Sequence, residues 1–354
     1  MNKGTTIVHV AEHAGVSIST VSRVLNGSAH VNPDIEQRVR AAMAALHYVP
    51  SASARNMKGR HSLSLGILLP QMDNDFFAKM LSAAVTAAEG QATVTVFSAD
   101  GDPEREKRNL RAAIDAGVSA LLYCPVGYVS AQELYEIVPK GFPLVIVYRR
   151  DMIPGAPHIY HDNVQGAEDA TRYLLRLGRR KIAFFAGFWG QEYSAQQVLA
   201  LVQDEAKRGA YTALDRLQGY MNVLQDAGIP LDPALIVPCW LNRSSGYEQA
   251  QKFLATLKDF DAILCGKDEV AAGILLALNE QKIAVPDKVS IVSFDDSVFS
   301  VMTRPMLTTV RQEPGQIGRQ AVEMALGLLR GEPVPDRVIG MELKIRNSTS
   351  VKDA

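Results

Sequence analysis

The 354-residue chain is poor in cysteine, with three scattered thiols and no C-x-x-C pair. This scarcity excludes a disulfide framework and a cysteine-based zinc site, and it favours a reducing compartment. No apolar run reaches the length of a membrane span, and the first residues lack the apolar core of a signal peptide. We therefore expect a cytoplasmic protein with no membrane partner, in which Cys124, Cys239 and Cys265 are small buried apolar residues.

Sequence motifs of catalysis and metal binding are also missing. The chain has no G-x-S-x-G elbow, no Walker loop and no pair at metal-ligand spacing among its seven histidines. We expect no enzyme activity, no cofactor and no metal site. An enzyme that cleaves sugars or nucleotides on a two-lobed scaffold is an alternative, and the missing acid–base pair of carboxylates counts against it.

The net charge of −1 is small but unevenly distributed. Residues 1–60 hold seven Lys/Arg against three Asp/Glu, a surplus of four, so the rest of the chain carries −5. A basic head on an acidic body is typical of a DNA-binding module joined to a domain that does not bind DNA. With 47% apolar residues, a chain of this length suits two or three domains with large cores.

Residues 6–26 (TIVHVAEHAGVSISTVSRVLN) have the pattern of two short helices around a tight turn at Gly15. Val10, Ala11 and Ala14 form an apolar stripe at helical spacing, and glycine tolerates the left-handed backbone of such turns. Ser17 is placed to cap the second helix. The inward-facing residues of that helix are Val21, Val24 and Leu25. Its other side presents small polar residues and one arginine, which predicts a helix-turn-helix that enters the DNA major groove.

A third helix is predicted after Asn32 as its cap and Pro33 in its first turn. Its apolar face is expected to be Ile35, Val39, Ala42, Met43 and Leu46. We predict base contacts from Ile18, Ser19 and Arg23, because arginine reads guanine through two hydrogen bonds. The other DNA-binding candidates of this head are Thr6, Ser17, Thr20, Ser22 and Asn26, of which Ser17, Thr20 and Asn26 suit phosphates.

Residues 11–27 (AEHAGVSISTVSRVLNG) resemble the headpiece of the LacI/GalR repressors. Further matches follow along the chain at 64–70 (SLGILLP), at Asp162, Asn163 and Gly166, and at 177–183 (LGRRKIA), 291–296 (IVSFDD) and 307–312 (LTTVRQ). The resemblance covers nearly the whole chain. It implies a headpiece followed by a periplasmic-binding-protein-like effector core. A transport-type binding protein has a similar core, but the DNA-reading head opposes that alternative.

Beyond residue 63, short apolar runs alternate with amphipathic stretches such as 76–89 and 103–116. The runs predict buried parallel strands at 65–69, 93–97, 120–124, 144–148, 182–186, 235–237, 262–265 and 289–294. Such alternation indicates doubly wound α/β sheets. We expect a small all-α domain followed by a two-lobed α/β core. Together with the resemblance, this gives a headpiece at 1–49, a hinge at 50–60, an N-terminal lobe at 61–160 and 312–340, and a C-terminal lobe at 161–311 and 341–354.

Residues 50–60 (PSASARNMKGR) could form a short helix that is marginal by itself in water. The resemblance implies a hinge helix that orders on DNA and inserts an apolar side chain into the minor groove. Met57 stands where the family usually has leucine, and a flexible apolar side chain can still part a base step. Arg55 suits a phosphate contact. A plain linker is the alternative interpretation.

The effector site is expected beyond the carboxyl ends of the strands, in the cleft between the lobes. The resemblance implies aromatic contacts to the ligand from Phe77 and Trp240. It also implies that Arg216 holds ligand hydroxyls or a carboxylate and that Asp295 accepts hydrogen bonds from sugar hydroxyls. Phe77 could equally be a core residue, and Asp295 could equally cap the next helix.

Two substitutions change the charge expected in this cleft. Tyr148 stands where the family often has aspartate, and Lys267 stands where it commonly has asparagine, so the cleft gains two positive units. Uncompensated charge in a partly dry cleft is costly, which favours an anionic effector such as a sugar acid or sugar phosphate. Pairing of Lys267 with Asp295 or Asp268 is the alternative.

Two further departures concern length and capping. Residues 189–208 add roughly twenty residues of helical character near the expected cleft mouth, where they could narrow ligand choice, contact a partner or be an inert excursion. In the head, His9 replaces the aspartate that closes a capping box with Thr6. We expect this loss to cost about 1 kcal/mol or less.

These patterns together predict a sequence-specific transcriptional regulator, a repressor of carbohydrate uptake or catabolism genes that a small sugar-type effector releases from a palindromic operator. We expect a homodimer, because one helix-turn-helix contacts few bases. The chain also ends soon after residue 350, without the tail of tetrameric relatives. The alternative is a purine or another corepressor, which would tighten DNA binding instead.

Overall fold

In the computed structural model the chain forms two compact units, Met1–Ser62 and Leu63–Ala354. The structure describes residues 6–25, 31–46, 48, 63–150, 153–188, 192–204, 207, 209–256 and 259–352. The predicted hinge at 50–60, with Arg55 and Met57, lies outside the described residues, as does Asn26.

The first unit contains three helices, which are α1 (Ile7–Ala14), α2 (Ile18–Leu25) and α3 (Pro33–Ala45). Their apolar faces form one small core, as the helical periodicity of the sequence predicts. The fully buried members of this core are Val10, Ala11, Ala14, Val21, Val24, Val39 and Ala42. The α3 cap is formed as expected, since the Asn32 side chain accepts a hydrogen bond from the backbone of Asp34.

The turn between α1 and α2 is fixed by local hydrogen bonds. Gly15 adopts the left-handed conformation with φ of 61°. Arg38 of α3 donates to the carbonyl oxygen of Ala14 over 2.6 Å, which ties the third helix to this turn. The Ser17 hydroxyl accepts from the backbone N–H of Thr20 over 3.1 Å and so caps α2 as predicted.

The expected loss of the α1 capping box is wrong. The Nδ1 atom of His9 accepts a hydrogen bond from the backbone N–H of Thr6 over 3.1 Å. A neutral imidazole offers an acceptor at a reach similar to that of a carboxylate, so histidine completes the box in place of aspartate.

The second unit is a two-lobed α/β core built on two six-stranded sheets. The strands are β1 (Leu63–Leu69), β2 (Ala92–Ser98), β3 (Ala120–Tyr123), β4 (Leu144–Val147), β5 (His158–His161), β6 (Ile182–Phe188), β7 (Ile236–Trp240), β8 (Ala262–Cys265), β9 (Ser290–Asp295), β10 (Thr308–Arg311), β11 (Arg337–Ile339) and β12 (Glu342–Lys344). The first lobe has the order β11-β5-β4-β3-β1-β2, and the second lobe has the order β12-β10-β9-β8-β6-β7. The chain therefore passes between the lobes after β5, after β10 and after β11.

Helices cover both faces of each sheet, as buried parallel strands require. Those of the first lobe are α4 (Asp75–Ala88), α5 (Pro103–Asp115), α6 (Ala131–Tyr135) and α13 (Pro314–Leu329). Those of the second lobe are α7 (Asn163–Arg176), α8 (Ala195–Gln203), α9 (Thr212–Asp226), α10 (Arg243–Thr256), α11 (Asp268–Glu280) and α12 (Val298–Met302), with one 3₁₀ turn at Pro233–Leu235. Each lobe has two apolar clusters, one on either side of its sheet.

The predicted doubly wound architecture is confirmed, with two corrections to the strands. The strand expected at 93–97 is not buried, because β2 lies at the sheet edge and alternates between half-buried and exposed residues. The pairing is not wholly parallel, since β12 runs antiparallel to β10. An edge strand such as β12 can pair with its neighbour in either direction.

The extra segment between β6 and α9 is packed against both lobes. Its helix α8 buries Val198 and Val202 in the second lobe's core. The chain then reaches α9 through Gly209, Ala210 and Tyr211, which we call the strap. Ala210 is fully buried in a core cluster of the first lobe, and the Tyr211 ring packs against clusters of both lobes. The strap is therefore a fourth connection between the lobes, made by packing.

The strap fits closely against the first lobe at Arg150. The backbone N–H of Arg150 donates to the carbonyl of Gly209 over 3.3 Å. A Cβ atom at position 209 would lie 2.1 Å from the Arg150 carbonyl oxygen, so only glycine fits there.

Within the described ranges, no helix combines the length and the apolar character that a bilayer crossing needs.

Candidate functional site

The exposed face of α2 carries the residues that sequence analysis selected for base contacts. Ile18 is 48% exposed, and Ser19 and Arg23 are also exposed, while Val21 and Val24 are buried on the opposite side. The helix is thus held by its inner side and presents its outer side to solvent.

The polar residues at the start of α2 form a small hydroxyl cluster. The Ser17 Oγ atom lies 2.7 Å from the Ser19 Oγ atom and 2.8 Å from the Thr20 Oγ1 atom. Thr20 and Ser22 are half-buried, and Thr6 is exposed at the start of α1. Hydroxyls and free N–H groups near a helix N-terminus are suited to an anionic oxygen.

A cavity of about 480 Å³ lies between the two lobes of the second unit. It is lined from the first lobe by Asn74, Phe76, Phe77, Tyr148 and Arg149, and from the second by Gly187, Thr212, Ala213, Arg216, Leu241, Gly266, Lys267 and Asp295. The predicted effector residues Phe77, Tyr148, Arg216, Lys267 and Asp295 therefore meet in one place.

Trp240 is the exception among the predicted effector residues. It ends β7, at the edge of the second sheet, and Leu241 lines the cavity instead. The indole N–H of Trp240 lies 3.4 Å from a Glu192 carboxylate oxygen, in the extra segment after β6. The structure thus turns this ring toward the insertion and away from the cavity.

Aromatic rings form one wall of the cavity. The Tyr148 ring centroid lies 4.7 Å from that of Phe76 and 5.5 Å from that of Phe77. Both phenylalanines also belong to the first lobe's core, so Phe77 packs in that core and lines the cavity as well. Tyr148 has φ of 69°, a left-handed conformation that is uncommon for tyrosine and is maintained only where the surroundings impose it.

Arg216 of α9 is 3% exposed and is held from three sides. Its Nε donates to the Asn163 side chain over 2.8 Å, its Nη1 donates to the Gly266 carbonyl, and its guanidinium lies over the Phe294 ring at 4.2 Å. Its Nη2 is buried and has no hydrogen-bond partner among the described residues. This orientation leaves one donor for a ligand.

Asp295 ends β9 with φ of 114°, a second strained residue in the cavity wall. Its carboxylate accepts from the Gln312 side chain. Burial raises the pKa of Asp295 and outweighs the opposing effect of the Arg216 and Lys267 cations. No cap of the following helix by this side chain is present in the described structure; Asp268 instead accepts from the backbone N–H of Ser297 over 2.7 Å.

Lys267 forms an ion pair with Glu269, which was not predicted from the sequence. Its Nζ lies 2.6 Å from the Glu269 carboxylate and 3.0 Å from the Leu241 carbonyl oxygen. Neither Asp295 nor Asp268, the two partners considered from the sequence, forms this ion pair. The Asp268 carboxylate is instead held by Ser293, Thr309 and Ser297, and burial raises its pKa to about 7.

Two arginines that were not among the predicted effector residues also shape the site. Arg149 is 3% exposed, lines the cavity and donates to the Pro125 carbonyl over 3.1 Å. Arg150 reaches across the cleft, where its Nε and Nη2 lie 2.9 and 2.7 Å from the Asp215 carboxylate of the second lobe. The only sequence signal was a pair of arginines directly after a buried strand.

A second, outer cavity of about 1220 Å³ adjoins the first and shares Asn74, Phe76, Lys267 and Asp295 with it. It has the opposite electrostatic character. Its additional acidic residues are Asp73, Asp75, Glu269, Asp296 and Glu313. Its additional cations are Lys79 and Arg311, so the cleft is basic at its inner end and acidic at its outer end.

Comparisons with known proteins agree for both units. Residues 6–51 match the family described as bacterial regulatory proteins, lacI family, and residues 171–349 match the periplasmic binding protein-like domain. The chain is 32% identical to the HTH-type transcriptional regulator RegA of Clostridium saccharobutylicum, over 98% of this chain and 99% of the relative. It is 29% identical to the HTH-type transcriptional regulator GalR of Escherichia coli (strain K12), over 98% and 96%.

Solved structures show the same architecture. The lac repressor dimer bound to operator and the anti-inducer ONPF superposes with a TM-score of 0.81 and 26% identity, covering 98% of this chain and 100% of that one. A helix-turn-helix head joined to a two-lobed effector-type core defines a DNA-binding transcriptional regulator, and the relatives are regulators, not enzymes. The chain belongs to the LacI family of bacterial regulatory proteins.

Proposed function

We propose that this regulator binds a palindromic operator as a homodimer and represses genes of carbohydrate uptake or catabolism until a small sugar-type effector enters the inner cavity. The observation that carries the proposal is the presence in one chain of a solvent-facing α2 surface and of a cavity between two lobes that is lined by aromatic, cationic and acidic side chains. A ligand that binds one arrangement of the lobes better shifts the whole molecule toward it. Acting on DNA, such a regulator works in the cytoplasm.

The DNA contacts follow from the exposed side of α2. Ile18, Ser19 and Arg23 face solvent where they can reach base edges, with Arg23 as the guanine reader. Thr6, Ser17, Thr20 and Ser22 lie around them and suit phosphates or their neighbours. The sequence alone adds three further proposed DNA contacts, from Asn26, Arg55 and Met57.

The effector contacts follow from the inner cavity. Phe77 and Tyr148 offer ring surface to the apolar face of a sugar, Arg216 offers a donor to its hydroxyl or carboxylate oxygens, and Asp295 offers an acceptor to its hydroxyls. Lys267 lines the same cavity, although its charge is paired with Glu269. Trp240 is left out of the proposed contacts.

For the domains, we propose the predicted boundaries, with the two lobes defined by their sheets.

Dimer formation is supported by an exposed apolar patch on the second lobe. Leu276 of α11 and Val298, Val301 and Met302 of α12 are between 44% and 72% exposed. Apolar side chains grouped on two adjacent helices are typical of a surface that a second protein molecule covers. Two heads joined in this way would match the two halves of a palindrome.

The proposal is tested by fluorescence anisotropy with a palindrome selected from random DNA. Arg23→Ala should weaken specific binding by about 10- to 100-fold and relax the preference at one base pair of each half-site. Arg40→Ala is the matched control, since Arg40 is an exposed arginine of α3 that pairs with Glu36. The proposal fails if the protein prefers no sequence at physiological salt.

The same assay gives the sign of the response to an effector. A sugar that lowers the affinity for the operator supports an inducer. A ligand such as a purine that raises this affinity would instead make the protein a corepressor-dependent regulator.

A further inference from the structure

We propose that the effector is a sugar acid with a single negative charge, whose carboxylate lies between Arg149 of the first lobe and Arg216 of the second. This inference rests on the proposed function, because it assigns the chemical class of the ligand of the same inner cavity.

Each of these arginines is buried with one donor unused. Both line the inner cavity and are only 3% exposed. The Nη2 atom of Arg216 and the Nε atom of Arg149 have no hydrogen-bond partner among the described residues. Buried polar hydrogens are nearly always paired, so two orphan guanidinium donors from opposite walls of one cavity indicate an acceptor that arrives from outside. A carboxylate has two oxygens and can accept from both.

The charges around the cavity leave one positive charge uncompensated. Lys267 is paired with Glu269, and Arg150 is paired with Asp215. Arg149 and Arg216 then face the single carboxylate of Asp295. Neither Glu106 nor Asp268 lines the cavity. The Glu106 carboxylate accepts from the backbone N–H of Val126 over 2.7 Å, and the Asp268 carboxylate is held by Ser293, Thr309 and Ser297.

This balance discriminates between ligand classes. A neutral sugar could accept the two hydrogen bonds but would leave the surplus charge without a counterion beside two arginines that are only 3% exposed. A phosphate ester with nearly two charges would exceed the surplus and would also face the acidic outer cavity. A carboxylate matches the single charge.

The opposite charges of the two ends of the cleft also orient the ligand. The carboxylate points inward to Arg149 and Arg216, and the hydroxyls point outward to Asp295 and the acidic outer cavity, where carboxylates can accept from them. Because the two arginines belong to different lobes, a bound carboxylate links the lobes. Lys267, which suggested an anion from the sequence, contributes little because Glu269 neutralises it.

The test is isothermal titration calorimetry of the full-length protein with matched sets of hexoses and pentoses. Each set contains the neutral sugar, its aldonate, its uronate and its terminal phosphate ester, at constant ionic strength. We expect one acid to bind at least about tenfold more tightly than its neutral parent and its phosphate ester. Equal or tighter binding of the neutral parent would overturn the inference and leave the proposed function intact.

Two other outcomes would also overturn it. Tightest binding of a phosphate ester would show a site for two charges. Binding of no sugar of any class, by a protein that still binds its operator, would refute both the sugar effector and this inference.

Single substitutions test which cationic residues recognise the carboxylate. Arg149→Gln should remove the preference for the acid over the neutral sugar, whereas Lys267→Gln should retain it. Arg330→Gln, at the surface outside the cleft, is the matched control and should behave as the wild-type protein. Loss of the preference in Lys267→Gln with its retention in Arg149→Gln would overturn the assignment. The wild-type panel alone decides the ligand class if Arg149→Gln does not fold.

Discussion

Replacement of Gly209 by alanine should loosen the attachment of the strap to the first lobe. The added Cβ would lie 2.1 Å from the carbonyl oxygen of Arg150 and 2.9 Å from its carbonyl carbon, both of them backbone atoms. The Arg150 backbone cannot shift easily, because its side chain is fixed by Asp215 and its N–H by the Gly209 carbonyl. Forcing one extra methyl into such a site costs about 1–3 kcal/mol.

The change is measured by thermal unfolding and by small-angle X-ray scattering. A loss of about 1–3 kcal/mol should lower the unfolding midpoint of the two-lobed unit by roughly 2–12 °C, since large domains shift by about 2–4 °C per kcal/mol. If the strap yields before the core does, the radius of gyration should rise as well. Gly340→Ala is the matched control, because a Cβ at that position meets no atom within 4 Å.

Two results would refute this reasoning. The close approach would be irrelevant if Gly209→Ala had the same unfolding midpoint as the wild-type protein and as Gly340→Ala. The strap would not join the lobes if the midpoint fell while effector affinity and molecular dimensions stayed unchanged.

Three further predictions concern protons and assembly. Burial holds the pKa of His161 at about 3, so the unfolded chain, with a pKa of about 6.5, takes up the proton first. Stability should therefore fall by about 1.4 kcal/mol per pH unit below 6.5, and urea titrations should show less of this loss in His161→Gln. Burial raises the pKa of Asp215 to about 6, so the folded state binds this proton more tightly; Asp215→Asn should abolish the loss of stability that ionisation of Asp215 contributes as pH rises from 4 to 6. Met302→Glu should dissociate the proposed dimer in sedimentation experiments without lowering monomer stability, since Met302 is 72% exposed.

The headpiece could be predicted almost residue by residue because its signals are local. Caps at Ser17 and Asn32, the left-handed turn at Gly15 and the helical apolar period each act within a few residues of the chain. The error at His9 came from treating capping as a property of carboxylates, although the structure uses the ring nitrogen as the acceptor.

The two-lobed core could be predicted where strands are apolar and long. The strands β5 (HIYH) and β10 (TTVR) were missed because they are four residues long and partly polar, and they are defined by pairing with strands distant in sequence. Of the five predicted residues that line the inner cavity, Tyr148, Lys267 and Asp295 lie at strand ends. The other two, Phe77 and Arg216, lie in helices and were implied by the family resemblance. The role of Arg149 could not be read in this way, because its burial follows the left-handed turn at Tyr148.

The partner of Lys267 shows a different limit of sequence reasoning. Glu269 is only two residues from Lys267 in the sequence. Which of the three nearby carboxylates pairs with Lys267 depends on the direction of α11. Asp268 was already taken by three hydroxyl and backbone donors from β9, β10 and the loop before α12. Competition of this kind among neighbours is settled only by the tertiary structure.

The three buried thiols make the protein its own reporter of local opening. Cys124 lies in the core of the first lobe, while Cys239 and Cys265 lie in the core of the second. Burial raises the pKa of the Cys124 and Cys239 thiols to about 12, so neither is nucleophilic while its lobe stays folded. The rate at which a disulfide reagent labels each thiol therefore reports how often the lobe around that thiol opens locally. A bound effector should slow the labelling of the thiols in both lobes, and no engineered label is needed for this measurement.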